Sequence, residues 1–582
     1  KGGSGATGLF AQIGHIVYES SNAISGSVRV QSGDGGILLE GGSSTANYAT
    51  IGSGGYEIKD GSSIGGGTFV TSLGTDPSDG IVMRAGSGNY SSAQIGHLAE
   101  RTVGGFVHPD VGLSGEVRVS VAGGGLAMDA SVLGYFTHVQ IGHGGRDITG
   151  TKSGEITVTV TSGDIVMTSG GENPSGRYSH AQIGHGGYGN GVTGNIDGSI
   201  TLEALAGKIA IIADESYGNY SQVGHGGFGA GSGISGNFTG SIRVLAENDI
   251  ALSAGDAGYT FARIGHGGRD TDGNHGLAGE SIQVISRSGN LELAAGSGAD
   301  SLAQIGHGDN NDSSGTRNGD ILVDVAGEIS LASSANAAWI GHRTTTGSSA
   351  LGNADVTVRA QGLDTIAGDS GNELFSIDGT TGGMFGANLS GGHVSLIATG
   401  SSGLEVTSAI IGNSSSDLNL LAHSNLYLAE DVLNQGAGDV NVVAGWNPAL
   451  APLTSLALAA PYREYFVRDV NMDTDLFSIP GAFGASSGSV YVGLKKDQSA
   501  ADLGVVVGSR AGQTNVAGHD VSVVGGALTG TGKYSQIGFS RLDGGVSVAS
   551  PVTGRIRVLA KNNVLLQASQ NTPAGIGSDS FA

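Results

Sequence analysis

Apolar and polar residues alternate in short paired segments along this chain. In the segments from Ser241 to Ala246 and from Asp249 to Ala254, every second residue is apolar, which is the period of a strand with one buried face. The paired apolar positions recur at Ile200, Leu202 and Ala204 with Ile209, Ile211 and Ala213, at Ile282 and Val284 with Leu291, Leu293 and Ala295, and at Ile556, Val558 and Ala560 with Val564, Leu566 and Ala568. The pattern predicts a chain built from repeated short strands.

A four-residue phrase, Gln-Ile-Gly-His or a close variant, recurs between these pairs. Copies end at His15, His97, His143, His185, His225, His266, His307 and His342, and degenerate copies begin at Thr50, Ile410, Gln536 and Gly575. A period of roughly forty residues indicates a solenoid, a propeller or an array, and the blade signature of a propeller does not occur. We therefore predict an all-β protein, a parallel β-solenoid with about three strands per coil of roughly 40 residues.

Composition and charge narrow the class of protein. The 582 residues include 109 Gly, 9 Pro and no Cys, which excludes collagen and disulfide scaffolds. The formal net charge is −24, so no basic stripe exists to neutralise phosphates and we expect no nucleic-acid partner. Apolar runs are shorter than the roughly eighteen residues of a membrane span, and we expect no transmembrane segment. Because stacked repeats share one core, we expect a single elongated domain.

One segment breaks the repeat pattern. Residues 446–496 hold four of the nine prolines together with several aromatic residues, and this density suggests an excursion from the solenoid. We therefore divide the chain into solenoid repeats over 1–445, the excursion over 446–496 and further repeats over 497–582. The excursion is either a recognition element or a structural flap that covers coil edges. Its candidate recognition residues are Trp446, Tyr462, Tyr465, Phe466 and Phe477.

The histidines of the phrase predict a ladder. In-register stacking would place neighbouring imidazoles about 4.8 Å apart, where they can pack face to face or share a soft divalent metal. Repulsion between charged neighbours would lower their pKa and make the ladder respond to pH. We also expect the adjacent glutamines to form a parallel amide ladder in which each side chain bonds the next. These glutamines are Gln12, Gln94, Gln140, Gln182, Gln222 and Gln304.

Acidic residues cluster after several of the histidines. Their oxygens are hard ligands that Ca²⁺ could use, and solvated Asx turns are the alternative interpretation. We expect no other cofactor. The calcium candidates are Asp147, Asp270, Asp272, Asp309 and Asp312.

Six tyrosines fall three to five residues before the Ile of the phrase. An aromatic stack at this position could serve as a sugar platform, or it could simply cover the corner between strands. The six are Tyr48, Tyr90, Tyr178, Tyr220, Tyr259 and Tyr534.

The repeats resemble filamentous-haemagglutinin-type adhesins of Gram-negative bacteria and autotransporter passengers. The resemblance rests on phrases such as Gly240-Ser241-Ile242-Arg243-Val244-Leu245-Ala246, and it covers roughly residues 8–440 and 504–582. The shafts of these families are right-handed parallel β-helices, so the resemblance implies that fold and a secreted protein, extracellular or on the bacterial outer cell surface. These families typically carry a secretion domain with Asn-Pro-Asn motifs. No such motif occurs here, which leaves the export route open.

Three functions remain as hypotheses. The first is a structural cell-surface or extracellular protein, an adhesin shaft or filament-forming solenoid, and the second is a head-to-tail self-assembling fibre subunit. The third is a β-helix carbohydrate-active enzyme, which we disfavour because candidate carboxylates such as Asp164, Glu203 and Glu292 are scattered. The partners expected are other copies or adjoining segments of a longer chain, and glycans or cells that the surface meets.

Overall fold

The computed structural model describes the chain except residues 18–20, 22, 57, 101–108, 132–133, 171–177, 190–191, 230–232, 309–313, 334–337, 343–347, 352–353, 362, 365–392, 402, 408, 413–414, 416, 446–487, 528–533, 540–551, 570–571 and 579–582. The regular elements in this part of the chain are all β-strands. No helix long and apolar enough to cross a membrane therefore occurs among the described residues.

The described residues form two compact units. One covers Lys1–Asp320 and Leu331–Leu351, and the other covers Ile321–Ser330 and the described residues from 354 onward. The repeats predict a single domain, so the division into two units is a difference from that expectation. The repeat itself also changes, because equivalent residues of the second unit can be as little as 22 residues apart.

The first unit contains five main parallel sheets, named A to E here, and each repeat between Tyr48 and Ala254 gives one strand to every sheet. Sheet A contains Phe10–Ile13, Tyr48–Ile51, Ser92–Ile95, His138–Ile141, His180–Ile183, Tyr220–Val223, Phe261–Ile264, Leu302–Ile305 and Ala338–Ile340. Sheet B contains Gly54–Tyr56, Leu98–Glu100, Gly144–Arg146, Gly186–Gly189 and Gly226–Gly229. Sheet C contains Ala23–Ser25, Ser62–Gly65, Val111–Ser114, Lys152–Ser153, Ile196–Asp197 and Phe238–Thr239.

Sheets D and E contain the paired alternating strands of the sequence. Sheet D contains Val28–Ser32, Thr68–Ser72, Val117–Val121, Ile156–Val160, Ile200–Ala204, Ile242–Ala246 and Ser281–Ser286. Sheet E contains Ile37–Glu40, Ile81–Arg84, Leu126–Ala130, Ile165–Ser169, Ile209–Ala213, Ile250–Ala254 and Leu291–Ala295. Two smaller sheets contain Val192–Thr193, Ile234–Ser235 and Thr271–Asp272, and Ser314–Arg317 and Ser348–Leu351.

Equivalent residues of successive repeats pair in register. In sheet A, Gln140 pairs with Gln94 on one side and Gln182 on the other. Parallel in-register pairing sets equivalent side chains about 4.8 Å apart. Each position of the repeat therefore becomes a column that runs through the stacked strands. In sheets D and E, the alternate apolar positions form buried columns, as at Val244 and Leu252.

A separate aromatic cluster lies between sheets A and B. Tyr220 and Phe261 of sheet A pack with Phe228 of sheet B, and Leu302 and Trp339 continue the cluster. Sheet A is thus buried on both faces, which explains why all four residues of a strand such as Tyr220–Val223 are buried.

The second unit has short repeats of three strands. Asn419 and Asn441 are equivalent positions 22 residues apart. Two of its strands, Asp320–Val325 and Ile329–Ser333, extend across the division between the units. The others are Val356–Ala360, Leu363–Asp364, Val394–Ala398, Leu404–Val406, Ile410–Gly412, Leu418–Ala422, Leu426–Leu428, Val432–Asn434, Val440–Ala444, Val490–Val492, Val506–Ser509, Thr514–Val524, Ser535–Ile537, Ile556–Gln567 and Ala574–Ile576.

The stacked parallel strands fit a β-solenoid, but the number of strands per repeat differs from the prediction of three in about forty residues. Between Tyr48 and Ala254, each repeat has at least five strands, because short strands of sheets B and C lie between its sheet A and sheet D strands. These strands, such as Gly186–Gly189 and Lys152–Ser153, are short and poor in alternating apolar residues. Apolar alternation therefore could not reveal them.

The excursion ends earlier than the sequence predicts. Val490–Val492 forms a parallel strand between Leu426–Leu428 and Val521–Val523, so the repeats have resumed by residue 490 and not at 497. Val490 and Val492 are both buried, and Tyr491 between them is half-buried. This is the alternation of an ordinary strand, and only its short length hid it.

The buried columns predict a severe effect of one charge. Ile250 is completely buried in sheet E, so Ile250→Asp should lower the free energy of unfolding by about 4 kcal/mol, because an unpaired carboxylate loses its hydration. Ser253→Asp is the matched control, since Ser253 is half-buried on the other face of the same strand. Urea denaturation followed by circular dichroism measures both. Equal midpoints for the two variants would contradict the buried column.

Candidate functional site

The histidines of the phrase form a continuous stack in the first unit. From His97 to His342, successive imidazole rings lie 4.5 to 4.9 Å apart between centroids, with interplanar angles of 2° to 12°. We call this stack the histidine ladder. It consists of His97, His143, His185, His225, His266, His307 and His342, all of them buried.

Hydrogen bonds determine the protonation of the ladder rings. The backbone N–H of His143 donates to Nδ1 of His185 at 2.8 Å, and the N–H of His185 donates to Nδ1 of His225 at 3.0 Å. Nδ1 must therefore be unprotonated in these rings. The other ring nitrogen of His185, Nε2, lies 2.8 Å from the carbonyl oxygen of Gly154. Because a carbonyl oxygen can only accept a hydrogen bond, Nε2 must carry the proton. The ladder is built from neutral imidazoles of one tautomer.

The same two bonds recur along the ladder. Backbone N–H donation to Nδ1 of the next ring also occurs from Ser53, His97, His225, His266 and His307. Contacts from Nε2 to a glycine carbonyl, 2.6 to 2.8 Å long, are also made by His97, His143, His225, His266 and His342 to Gly66, Gly115, Gly198, Gly240 and Gly319. Each of these rings joins the end of a sheet A strand to the turn that precedes a sheet D strand.

Burial lowers the pKa of the ladder histidines, because an imidazolium ion loses its hydration inside the unit. The pKa falls to about 4 for His225 and for His342. Charge on a neighbouring ring lowers the pKa further, as His143 does for His185. Asp197 acts in the opposite direction on the pKa of His266, but burial has the larger effect. The sequence predicts the direction through repulsion alone, and burial is the greater cause.

His15 lies apart from the ladder. Its side chain is exposed, and Ser53 takes the histidine position in the next repeat. The backbone N–H of His15 therefore donates to the Oγ of Ser53 at 3.4 Å, and not to the Nδ1 of an imidazole as in the ladder. Seven of the eight predicted histidines are therefore contiguous, and His15 is separated from them by one repeat.

The glycine of the phrase is required by the distance between repeats. Gly184 has φ of +157°, and a Cβ atom there would overlap the carbonyl oxygen of Gly224 in the next repeat. A Cβ atom at Gly142 would likewise overlap the carbonyl oxygen of Gly184, and one at Gly224 would overlap that of Gly265. The close approach lets each His present its backbone N–H to the next ring. The fixed Gly-His order of the phrase thus has a geometric cause.

The glutamines do not form the predicted amide ladder. Nε2 of Gln222 donates to the carbonyl oxygens of Gly265 and Gly267 in the next repeat, both at 2.8 Å. Gln182 makes equivalent bonds to Gly224 and Gly226. The amide therefore caps backbone carbonyls at the corner between sheets A and B.

An amide ladder does occur in the second unit. Nδ2 of Asn441 donates to Oδ1 of Asn419 at 2.9 Å, and Nδ2 of Asn515 donates to Oδ1 of Asn441 at 2.7 Å. Asn419 bonds Ser395 in the same way at 3.1 Å. The signal was an Asn at the second position of three strands, in Leu-Asn-Leu, Val-Asn-Val and Thr-Asn-Val.

The sequence also did not reveal a second histidine stack. His138 and His180 are buried with ring centroids 4.9 Å apart, and Tyr220 and Phe261 extend the stack. Burial lowers the pKa of His138 to about 4 and lowers that of His180 in the same direction. All four residues stand two positions before the Gln position of the phrase, and this shared spacing was the available signal.

The six predicted tyrosines do not form one stack. Tyr48 and Tyr220 are buried within sheet A. Tyr90, Tyr178 and Tyr259 lie instead in the turns before sheet A, half-buried and with positive φ. Tyr534 belongs to the second unit, next to strand Ser535–Ile537. The six tyrosines stand at different distances, from three to five residues, before the Ile of the phrase, and residues at different distances lie in different environments.

The calcium candidates are not brought together. Asp147 pairs with Arg146 at 3.1 Å, and Asp270 pairs with Arg269 at 3.3 Å. Asp272 lies in strand Thr271–Asp272, whereas Asp309 and Asp312 fall outside the described residues. Among the residues that the structure describes, no three His, Asp or Glu side chains converge on a metal position. Positive φ at Asp147 and Asp270 agrees with the alternative interpretation as turns.

The candidate recognition residues of the excursion lie outside the described residues. They are Trp446, Tyr462, Tyr465, Phe466 and Phe477. Their role in recognition stays a prediction.

The close approach of the glycines predicts a mutation effect. Gly184→Ala should lower the free energy of unfolding by about 3 kcal/mol, since the new methyl group meets a backbone oxygen at a positive φ. Gly112→Ala is the control, because the nearest atom to its Cβ is Oγ1 of Thr151 at 3.9 Å. Urea midpoints measure both variants. A control as destabilised as Gly184→Ala would contradict the close approach as the cause, because Gly→Ala at an unstrained site is otherwise neutral or stabilising.

The lowered pKa values predict acid sensitivity. The ladder stays neutral in the folded protein, whereas its histidines take up protons in the unfolded chain below a pKa of about 6.5. Stability is therefore complete above about pH 6.5 and falls below it, by up to about 1.4 kcal/mol per pH unit for each ladder His. Thermal melting between pH 7.5 and 4.5 tests this. A constant melting temperature would refute the lowered pKa values.

The filled nitrogens predict indifference to zinc. Six of the seven ladder rings bond through both nitrogens, so a metal ion could bind them only by replacing a bond at Nδ1 or Nε2. We expect the same melting temperature at pH 7.5 with Zn²⁺, with a chelator and with neither. Stabilisation by Zn²⁺ that His185→Asn abolishes would restore the metal hypothesis.

Known proteins do not identify this chain. No protein-family model, no curated protein and no solved structure matches it. The ladder and its neighbours are therefore interpreted from their own geometry and chemistry.

Proposed function

We propose that the chain is a right-handed parallel β-helix with a structural role, the shaft of a cell-surface adhesin or extracellular filament. The observation that carries this proposal is the unbroken histidine ladder, in which seven repeats make the same buried contacts. Identical contacts in every repeat supply length and stiffness, because each repeat is held by its neighbours alone. A catalytic site, in contrast, needs one repeat that differs from the rest.

A location outside the cell is part of the proposal. The sequence resemblance to filamentous-haemagglutinin-type adhesins supports it, as does the absence of Cys, which suits a chain that crosses a membrane unfolded. The expected partners are other copies or adjoining segments of a longer polypeptide, and surface glycans. The charge of −24 argues against nucleic acid.

The carboxylates considered for catalysis have structural environments. Oδ1 of Asp164 accepts the backbone N–H of Lys208 at 3.0 Å, and Glu203 pairs with Arg243 of the next repeat. Glu292 is exposed on sheet E. The three lie in different repeats, which favours a structural protein over a glycoside-cleaving enzyme with its pair of facing carboxyl groups.

Electron microscopy of the purified chain, together with antibody labelling of intact cells, tests the structural role. Negative staining should show straight rods of one length, and the antibody should label the outside of the cell that makes the protein. Compact particles confined to the cell interior would refute the proposal.

A head-to-tail fibre subunit is the second candidate, favoured by exposed apolar residues on the outer strands. Ile13 is 54% exposed, whereas Ile51, its partner in the next repeat, is 3% exposed. In strand Ile556–Gln567, Val564 is 51% exposed, whereas its partner Val521 is buried. A second copy could cover both surfaces by continuing the sheets.

Sedimentation velocity at increasing concentration distinguishes the two candidates. Fibre subunits should form larger species that Ile13→Lys dissolves, while Leu277→Lys, at a similarly exposed site, leaves them intact. A single species at all concentrations favours the shaft.

A further inference from the structure

A left-handed turn precedes each strand of sheet A in the first unit. In each described turn of this kind one residue has φ between +55° and +75°. Where the next turn is also described, its N–H generally bonds that turn, as Tyr90 does to the carbonyl of Tyr135 at 2.8 Å. We call it the turn position. It is held by Gly8, Ala46, Tyr90, Phe136, Tyr178, Gly218, Tyr259 and Asp300.

Aromatic side chains at the turn position have a packing role. Phe136 stacks on Tyr90 at 5.2 Å and on Tyr178 at 5.0 Å, and the guanidinium of Arg269 lies 3.4 Å from the ring centre of Tyr259. A positive φ is unfavourable for such bulky residues. Ring stacking offsets that cost, so the packing contacts alone account for aromatic residues at the turn position.

The residue just before the turn position is different. The fold accepts small side chains there, because Thr45, Asn89, Gly258 and Ala299 occupy it in four repeats. In two other repeats it is Tyr135, which is 39% exposed, and Tyr217, which is 36% exposed. The fold does not require a tyrosine at this position, although Tyr135 and Tyr217 do contact neighbouring aromatic rings. Exposed tyrosines are typical of binding surfaces.

The two tyrosines are arranged along the stacking direction. They belong to repeats two apart, so their backbones are separated by about 10 Å. Gly218 has no side chain, so the row of side chains at the turn position has a gap in this repeat. The ring of Tyr217 lies between those of Tyr178 and Tyr259, at interplanar angles of 88° and 83°. Its plane therefore runs across the planes of its neighbours, and it does not continue their stack.

We propose that Tyr135 and Tyr217 bind a neutral polysaccharide whose chain lies along the stacked repeats of the first unit. The C–H groups of a sugar ring pack on the electron-rich face of an aromatic ring, while its hydroxyls bond phenol and backbone groups. A repeating polymer can meet equivalent tyrosines in repeats two apart. Two tyrosines offer too little area for a stable protein interface, which needs about 800 Å² on each partner.

Charge selects a neutral glycan over an acidic one. The guanidinium of Arg146, 4.2 Å from the ring centre of Tyr90, is paired with Asp147. The guanidinium of Arg269 is paired with Asp270. An anionic ligand would have to displace these carboxylates and approach a chain of net charge −24.

The test is calorimetric titration of the whole chain with cellohexaose and mannohexaose, and with heparin as the acidic arm. At least one neutral hexasaccharide should bind, and Tyr135→Asn and Tyr217→Asn should each weaken binding about tenfold. Asparagine suits the turn, since Asn89 stands at the same position. Leu277→Asn, an exposed site in the same unit, is the control and should bind as the parent does.

A gain of function gives the sharper test. At Gly258, next to Tyr217 in the stack, a Cβ would be 3.5 Å from the oxygen of Ala299 and 3.7 Å from the Tyr217 ring, which are ordinary contacts. Gly258→Tyr should therefore fold and tighten binding several-fold by adding a third tyrosine. Equal affinity of the parent and the two Asn variants, no binding of either neutral hexasaccharide, or binding of heparin alone would overturn the proposal. None of these results would affect the proposed structural role.

Discussion

The hydrogen bond from the backbone of one histidine to the ring of the next is the interaction on which the first unit depends. It forms only if the phrase repeats in register, if glycine permits the close approach and if the ring stays neutral. The opposite nitrogen of the ring then holds the turn before sheet D. A single side chain thus fixes the register of sheet A and its connection to the rest of the repeat. A buried imidazole is stable at this position because both of its ring nitrogens make hydrogen bonds inside the unit.

Columns could be predicted from the sequence, but the partners within them could not. The histidines stack because parallel in-register strands leave them no other position, so their spacing was sufficient. The glutamines share that spacing, yet Gln222 bonds the carbonyls of Gly265 and Gly267 and not another amide. Which acceptor a side chain reaches depends on the corner between sheets A and B. Alternation could not reveal this corner, because its short strands are largely glycine.

The two units show what the paired alternating strands do and do not specify. In both units such strands stack into parallel sheets with buried columns. The number of strands between them differs, because most repeats of the first unit insert short strands of sheets B and C after the His and the described repeats of the second unit do not. Strand pairing is therefore encoded by the alternation, and the size of the repeat by the segments between. The period near forty residues separates Thr514 from its partner Ile556, whereas Leu418 and its partner Val440 are only 22 residues apart.

The ladder also bears on how the length of such a protein can change. Each ladder residue donates to the repeat on one side and accepts from the repeat on the other, so every repeat has the same two half-bonds. A gene duplication that copies one whole repeat would join its neighbours without a new side chain. A deletion of part of a repeat would break the column at that point. The unit can therefore evolve in steps of one repeat, and the position occupied by Ser53 shows that it also tolerates the loss of one ring.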